Sequence, residues 1–255
     1  MRVIGPFLVL FAAAAPASAG TTTEYTIDPA QSVFAVVVHK AGIAARLAHN
    51  HLICPEEYTA KLSVDGSDVT MAAFNLEFPV SKLQVDAPEA HAKWYPGIEK
   101  AGILDKPFSD LDEDDRKTVA EHMLATDQLD AAQYPNISAK ITKVRAEASA
   151  HGGQTYTHVV TIAFTVHGKT VEKDCPASIV IEGKGATVDA MGAFTFSEFG
   201  IKPYSALMGA VRNADEFHVF VHVAASWGTS IANGTAKDVR DEKDPKGRTT
   251  KQEGR

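Results

Sequence analysis

The chain has 255 residues, with 25 Lys and Arg against 32 Asp and Glu, a formal net charge of −7 at pH 7 and 45% hydrophobic residues. So acidic a balance is not built to hold phosphate backbones by counterion release, which argues against a nucleic-acid partner. The length suits one β-barrel domain or two smaller domains, either of which could bury a sizeable core.

Arg2, an apolar run from Val3 to Ala15, and Ala17-Ser18-Ala19 ahead of Gly20 read as a secretory signal peptide over residues 1–19. The run is shorter than the ~20 residues needed to span a bilayer. Cleavage removes the positive charge of Arg2, so −7 becomes −8 for a mature chain expected in a bacterial periplasm. No later window is apolar and long enough to be a transmembrane segment.

From there, runs rich in Val, Ile, Thr and Phe alternate with Gly, Asn and Asp turns, which predicts strand after strand. Ser32 to His39 is the first and Ile43 to Ile53 the second. Tyr58 to Val64 leads through Asp65-Gly66-Ser67-Asp68 into Val69 to Pro79, a hairpin signal. Ile137 to Ala148 and Thr155 to His167 flank His151-Gly152-Gly153-Gln154. Ala177 to Ile181 and Ala186 to Ser197 flank Glu182 to Gly185, and Glu216 to Ala225 is the last strand. Eight or so strands with short turns favour an antiparallel barrel or sandwich. The last strand has two apolar faces, Phe217, Val219, Val221 and Val223 on one and His218, Phe220, His222 and Ala224 on the other, so it needs cover on both sides.

Residues 86–130 break the β pattern. Ser109-Asp110-Leu111-Asp112 resembles a capping box, the acids through Asp115 suit a helix N-terminus, and Val119 and Met123 recur at i and i+4. An upstream helix within Pro88 to Lys100 is interrupted by Pro96-Gly97. The charged tail 228–255 is expected to be disordered, leaving a domain over 20–227.

Two side-chain sets carry possible chemistry. In an oxidising compartment Cys54 and Cys175 could close a long-range disulfide worth about 2–4 kcal/mol, the alternative being two buried thiols. His49 and His51, read on one strand, would stand side by side on one face. With His39, His218 or His222 they could hold zinc, copper, iron or a haem; equally, they could stand in the wall or contact a ligand head group without metal. There is no Gly-x-Ser-x-Gly elbow, phosphate loop, dinucleotide fingerprint or zinc-protease motif, so a hydrolase is the least supported reading and no catalytic residue is assigned.

Four stretches resemble the YceI-like family of periplasmic polyisoprenoid- and lipid-binding proteins. These are Tyr25 to His39 with Asp28 and Ser32, Arg116 to Pro135 as a short helix leading to a Tyr-Pro turn, Phe164 to Gly168 as a His-Gly turn, and Gly192 to Ile201 followed by Glu216 to Ala225. The resemblance implies a mainly β fold, an extended eight-stranded antiparallel lipocalin-like barrel with a helical insertion. It also implies no catalysis and no resident cofactor beyond a bound isoprenoid or other lipid. On that reading Phe34, Val36, Phe164, Phe194, Phe196, Phe199, Phe217, Val219 and Val221 grip the tail of an amphiphile of isoprenoid, quinone or fatty-acid type, while His39, His49 and His51 meet its polar end. The chain departs from the family at Ala48 to Ile53, and in a long insertion, roughly Val85 to Ser109, that could be a lid over the cavity or an outer layer. Oligomeric state is not legible.

Overall fold

Alternating strands bury one face by stacking two sheets or by closing one sheet on itself, and here the sheet closes. The computed structural model describes residues 21–65 and 68–228. The expected leader, the tail beyond Gly228 and the centre of the Asp65–Asp68 turn lie outside the described residues. Five long strands supply more than half of the wall: β7 (Asn136–His151), β8 (Gln154–Val166), β9 (Lys169–Glu182), β10 (Gly185–Thr195) and β12 (Val211–Ser226), joined as successive antiparallel neighbours. β11 is a two-residue strand, Ser205–Ala206, against the start of β12.

The other three wall positions are each a strand broken in two. β1 (Thr22–Ile27) runs on as β2 (Val33–Ala41), β3 (His51–Pro55) as β4 (Thr59–Asp65), and β5 (Ala72–Pro79) as β6 (Leu83–Val85). A proline sits at every break, Pro29, Pro55 and Pro79, where the missing N–H interrupts the ladder. At the first break the Asp28 carboxylate accepts from the Ala30 N–H (2.9 Å), and the Ser32 hydroxyl accepts from the Ala224 N–H (3.0 Å), pinning the bend to β12. One half of each broken strand completes the closed ring, β1-β4-β5-β7-β8-β9-β10-β12, sealed where Ile27 and Thr26 meet Ala225 and Ser226. The other halves, β2-β3-β6, extend the wall on the far side of β12 and end on an edge.

Two helices occupy the space the strands leave. α1 (Pro88–Lys100) runs through Pro96 without ending; it lies on the outside of the barrel, where Ile98 and Ala101 pack with Val33, Ala35, Val37, Leu52 and Phe220. Gly97 allows this approach, since a Cβ there would stand 2.8 Å from the Phe220 ring. The insertion is therefore an outer layer. α2 (Glu113–Leu124) packs against β6, and its N-cap is Asp112, which accepts from the Asp115 N–H at 2.8 Å, rather than the earlier Ser109. Both faces of β12 are covered as its pattern requires, Phe217 and Val223 by the main core and Phe220 by the α1 cluster.

Several segments differ from expectation. The stretch Ile43 to Ile53 is a strand only from His51; before it lie a turn and a short 3-10 helix, Ala45–Leu47. β9 begins at Lys169 rather than Ala177; in its first half only Val171 and Cys175 are apolar, and the charged residues between them hide the alternation.

Candidate functional site

The barrel interior holds two adjoining cavities that share Phe34, Val36, Phe78 and Phe164 in their walls. The inner one, about 110 Å³, is ringed by apolar side chains from β2, β4, β5, β7, β8, β9, β10 and β12, among them Leu62, Ile162, Cys175, Val188 and Val221. The outer one, about 270 Å³, lies under α2, whose Val119 and Met123 form part of its wall. Where the two meet, phenylalanines interlock. Phe164 packs edge-on against Phe194 and Phe199 (centroids 5.3 and 5.6 Å), and Phe196 lies 4.8 Å from Phe217.

The few polar side chains of the cavities gather in the outer one: His51, Thr118, His122, Gln128, Tyr204 and Asn213. Among the described residues no Asp, Glu, Lys or Arg lines either cavity. His51 is the most firmly held. Its Nδ1 lies 2.6 Å from Asp86 Oδ2, and Asp86 Oδ1 accepts from the Leu52 N–H (2.8 Å) and faces His91 Nε2 (3.1 Å). Asp86 is only 2% exposed and has φ +51°, a conformation Asp tolerates better than most residues. Burial alone would raise its carboxyl, but hydrogen bonds from His51, His91 and Leu52 outweigh that and hold it below the usual carboxylate range. An ionised carboxylate can only accept, so His51 donates from Nδ1, and the neutral ring then presents Nε2 as an acceptor.

Of the residues expected to grip a ligand, Phe34, Val36 and Phe164 line both cavities. His51, Phe196, Phe199 and Phe217 line the outer cavity, and Phe194, Val219 and Val221 the inner. His39 and His49 line neither. On β2 the alternation turns His39 outward with Val33, Ala35 and Val37, and its Nε2 meets His218 Nδ1 at 2.8 Å. His49 precedes β3, so the His-x-His pair does not share a strand face. Among the described residues no group of three or more His, Cys, Asp or Glu could hold a metal ion.

The disulfide expectation is corrected. Cys54 and Cys175 are both free. Cys175 lines the inner cavity, whereas Cys54 packs in the cluster beneath α1, so the barrel wall stands between them. Burial, aided by Asp86 and Asp174 respectively, pushes each thiol up to about 12.

Reasoning from sequence missed Asp86, Tyr204 and Asn213. The spacing of Val119 and Met123 was visible, but as a helix pattern rather than as a cavity wall.

Fold and site together define a closed antiparallel barrel that encloses an apolar cavity with a neutral polar end. The YceI-like domain matches residues 25–225, and the chain belongs to that family. Burkholderia cenocepacia BcnA is similar in structure, with TM-score 0.54 and 16% identity over 79% of this chain and 100% of that one. A Campylobacter jejuni YceI protein reaches 0.45 at 12% identity, covering 68% and 83%. A polyisoprenoid-binding domain from Saccharophagus degradans, implicated in plant cell wall breakdown, reaches 0.45 at 6% identity, covering 80% and 98%. No curated protein matches the sequence. Among the described residues no helix is long and apolar enough to cross a membrane.

Proposed function

We propose that the protein is an exported, non-catalytic carrier of a long, neutral-headed amphiphile of isoprenoid or quinone type. The observation that carries this reading is the continuous apolar lining that ends in uncharged polar groups. From Asn213 to Val223 the lining on β12 covers ten residue steps, ~33 Å of strand and about 25 Å along the axis at a tilt of ~40°. One leaflet's acyl chain reaches about 15 Å, half of the ~30 Å hydrocarbon core, so the lining is longer than such a chain requires. A fatty-acid carboxylate would be buried without a cation, which is costly. A hydroxyl or carbonyl head finds partners instead: neutral His51 accepts a hydroxyl proton at Nε2, Asn213 and Tyr204 can donate, and Thr118 and Gln128, whose own donors are held by backbone carbonyls, can accept.

Export rests on the leader-like residues 1–19. Membership of the YceI-like family supports a lipid-like ligand. Native mass spectrometry on freshly purified protein, with organic extraction and elemental analysis, tests the reading. A co-purifying neutral lipid without metal supports it; one metal ion per chain without lipid overturns it.

A further inference from the structure

The end of the barrel beside the outer cavity presents apolar side chains to solvent. Ile43 is 98% exposed, Leu47 62%, Leu207 68%, and Met208 fully so. They lie on two loops that the structure ties together. The Ala44 N–H donates to the Ala210 carbonyl (2.9 Å), and Gly42 packs directly on the backbone of Gly209 and Ala210. The same region borders the cavity, because Tyr204 and Asn213, whose backbones are hydrogen-bonded (3.0 Å), line it on the other side of the 205–210 loop.

Two further features set this tip apart. Leu207 and Met208 are consecutive non-glycine residues at φ +48° and +53°, a strained arrangement that turns both side chains outward. In a chain of net charge −7, residues 40–48 and 202–212 contain Lys40, Arg46, Lys202 and Arg212 and no acidic residue. All four cations are exposed.

We propose that this tip docks on an anionic lipid bilayer, with Ile43, Leu47, Leu207 and Met208 entering the interface and the four cations meeting lipid phosphates. Apolar insertion and electrostatic attraction are the two signals that together give stable peripheral binding. Exposed clustered hydrophobes mark a contact surface, and the cations beside them favour one that carries phosphate. The docked orientation sets the outer cavity next to the bilayer, where an amphiphile can pass between lipid and barrel with little exposure to water.

The test is co-sedimentation of the exported, purified protein with vesicles of phosphatidylcholine alone or of phosphatidylcholine with one third phosphatidylglycerol. The protein should bind the anionic vesicles at least tenfold more tightly, and raised salt should weaken that binding. The double variant Ile43→Asp with Met208→Asp should lose tenfold or more with unchanged circular dichroism, as both side chains are fully in solvent. Arg46→Glu should reduce the salt dependence. Equal binding to both vesicle types overturns the proposal, as does full binding by the double variant. So does a concentration-dependent dimer abolished by the double variant in a protein that ignores vesicles. No cavity ligand enters the assay, so its outcome stands apart from that of the carrier reading.

Discussion

Asp86 is the residue whose removal tests most of the argument. Asp86→Ala takes the acceptor from three groups at once, the Leu52 N–H, His51 Nδ1 and His91 Nε2. Leu52 is fully buried and the two histidine side chains are 13% and 12% exposed, so little water reaches them. A buried donor left unsatisfied costs about 1–3 kcal/mol, and alanine at φ +51° adds about 1 kcal/mol. If the histidines partly rotate to other partners, the loss is about 3–5 kcal/mol, a large share of a typical 5–15 kcal/mol stability. In a chain of this size that lowers Tm by about 6–20 °C. Asp86→Asn keeps an acceptor for Leu52 and tolerates the backbone, so it should lose only about 1–2 kcal/mol. Chemical denaturation monitored by circular dichroism measures both variants. The pH dependence has a definite sign. The folded carboxyl titrates below its unfolded value, so its stabilisation is present above about pH 4 and is lost as pH falls through the folded value. If Asp86→Ala lies within 1 kcal/mol of the parent, or if the two variants are equal, the hub role assigned to this carboxylate is refuted.

Three other expectations are independent of it. Val119→Trp, from the face of α2 that lines the outer cavity, should fill that space and cut amphiphile uptake at least tenfold in a fluorescent-lipid titration, with Tm changed by only a few degrees. Cys54 and Cys175 should react with a thiol reagent only on unfolding, and Tm should be the same with and without reductant, because both thiols are free and pushed to about 12. His39 and His218 share one hydrogen bond and both titrate below the ordinary value: His39 through burial and then His218, His218 through burial with His151 adding and Glu216 opposing. Their contribution is therefore intact above the unfolded value near 6.5 and declines below it, and His39→Gln should flatten the Tm difference between pH 7.5 and 5.5.

How much of this could be read in one dimension depended on how local the cause was. The period-two pattern of Phe34 and Val36 and of Phe217 to Val223 is a property of adjacent residues and shows which side chains share a face; the family resemblance is what pointed that face inward. The His151-Gly152-Gly153-Gln154 and His167-Gly168 turns were equally visible, since only a few residues decide a positive φ. The first half of β9 escaped notice because its two inward apolar residues, Val171 and Cys175, are separated by charged ones. His39 was misplaced because the resemblance grouped it with the cavity residues, although alternation along β2 sets it on the face opposite Phe34 and Val36.

What the sequence by itself determined is thus a β chain of strongly patterned strands, the phenylalanines that meet at its centre, and membership of a family. The tertiary structure decided everything that depends on distant segments meeting. Ring closure joins Ile27 to Ala225, and the barrel wall parts Cys54 from Cys175. The β3–β6 pairing sets Asp86 beside His51, while α1 brings up His91. It also settled that α1 covers the outside and α2 the cavity. The physical reason is that side-chain alternation is set by neighbours along the chain, whereas register, inside from outside, and the company a buried carboxylate keeps are set by contacts between residues far apart in it.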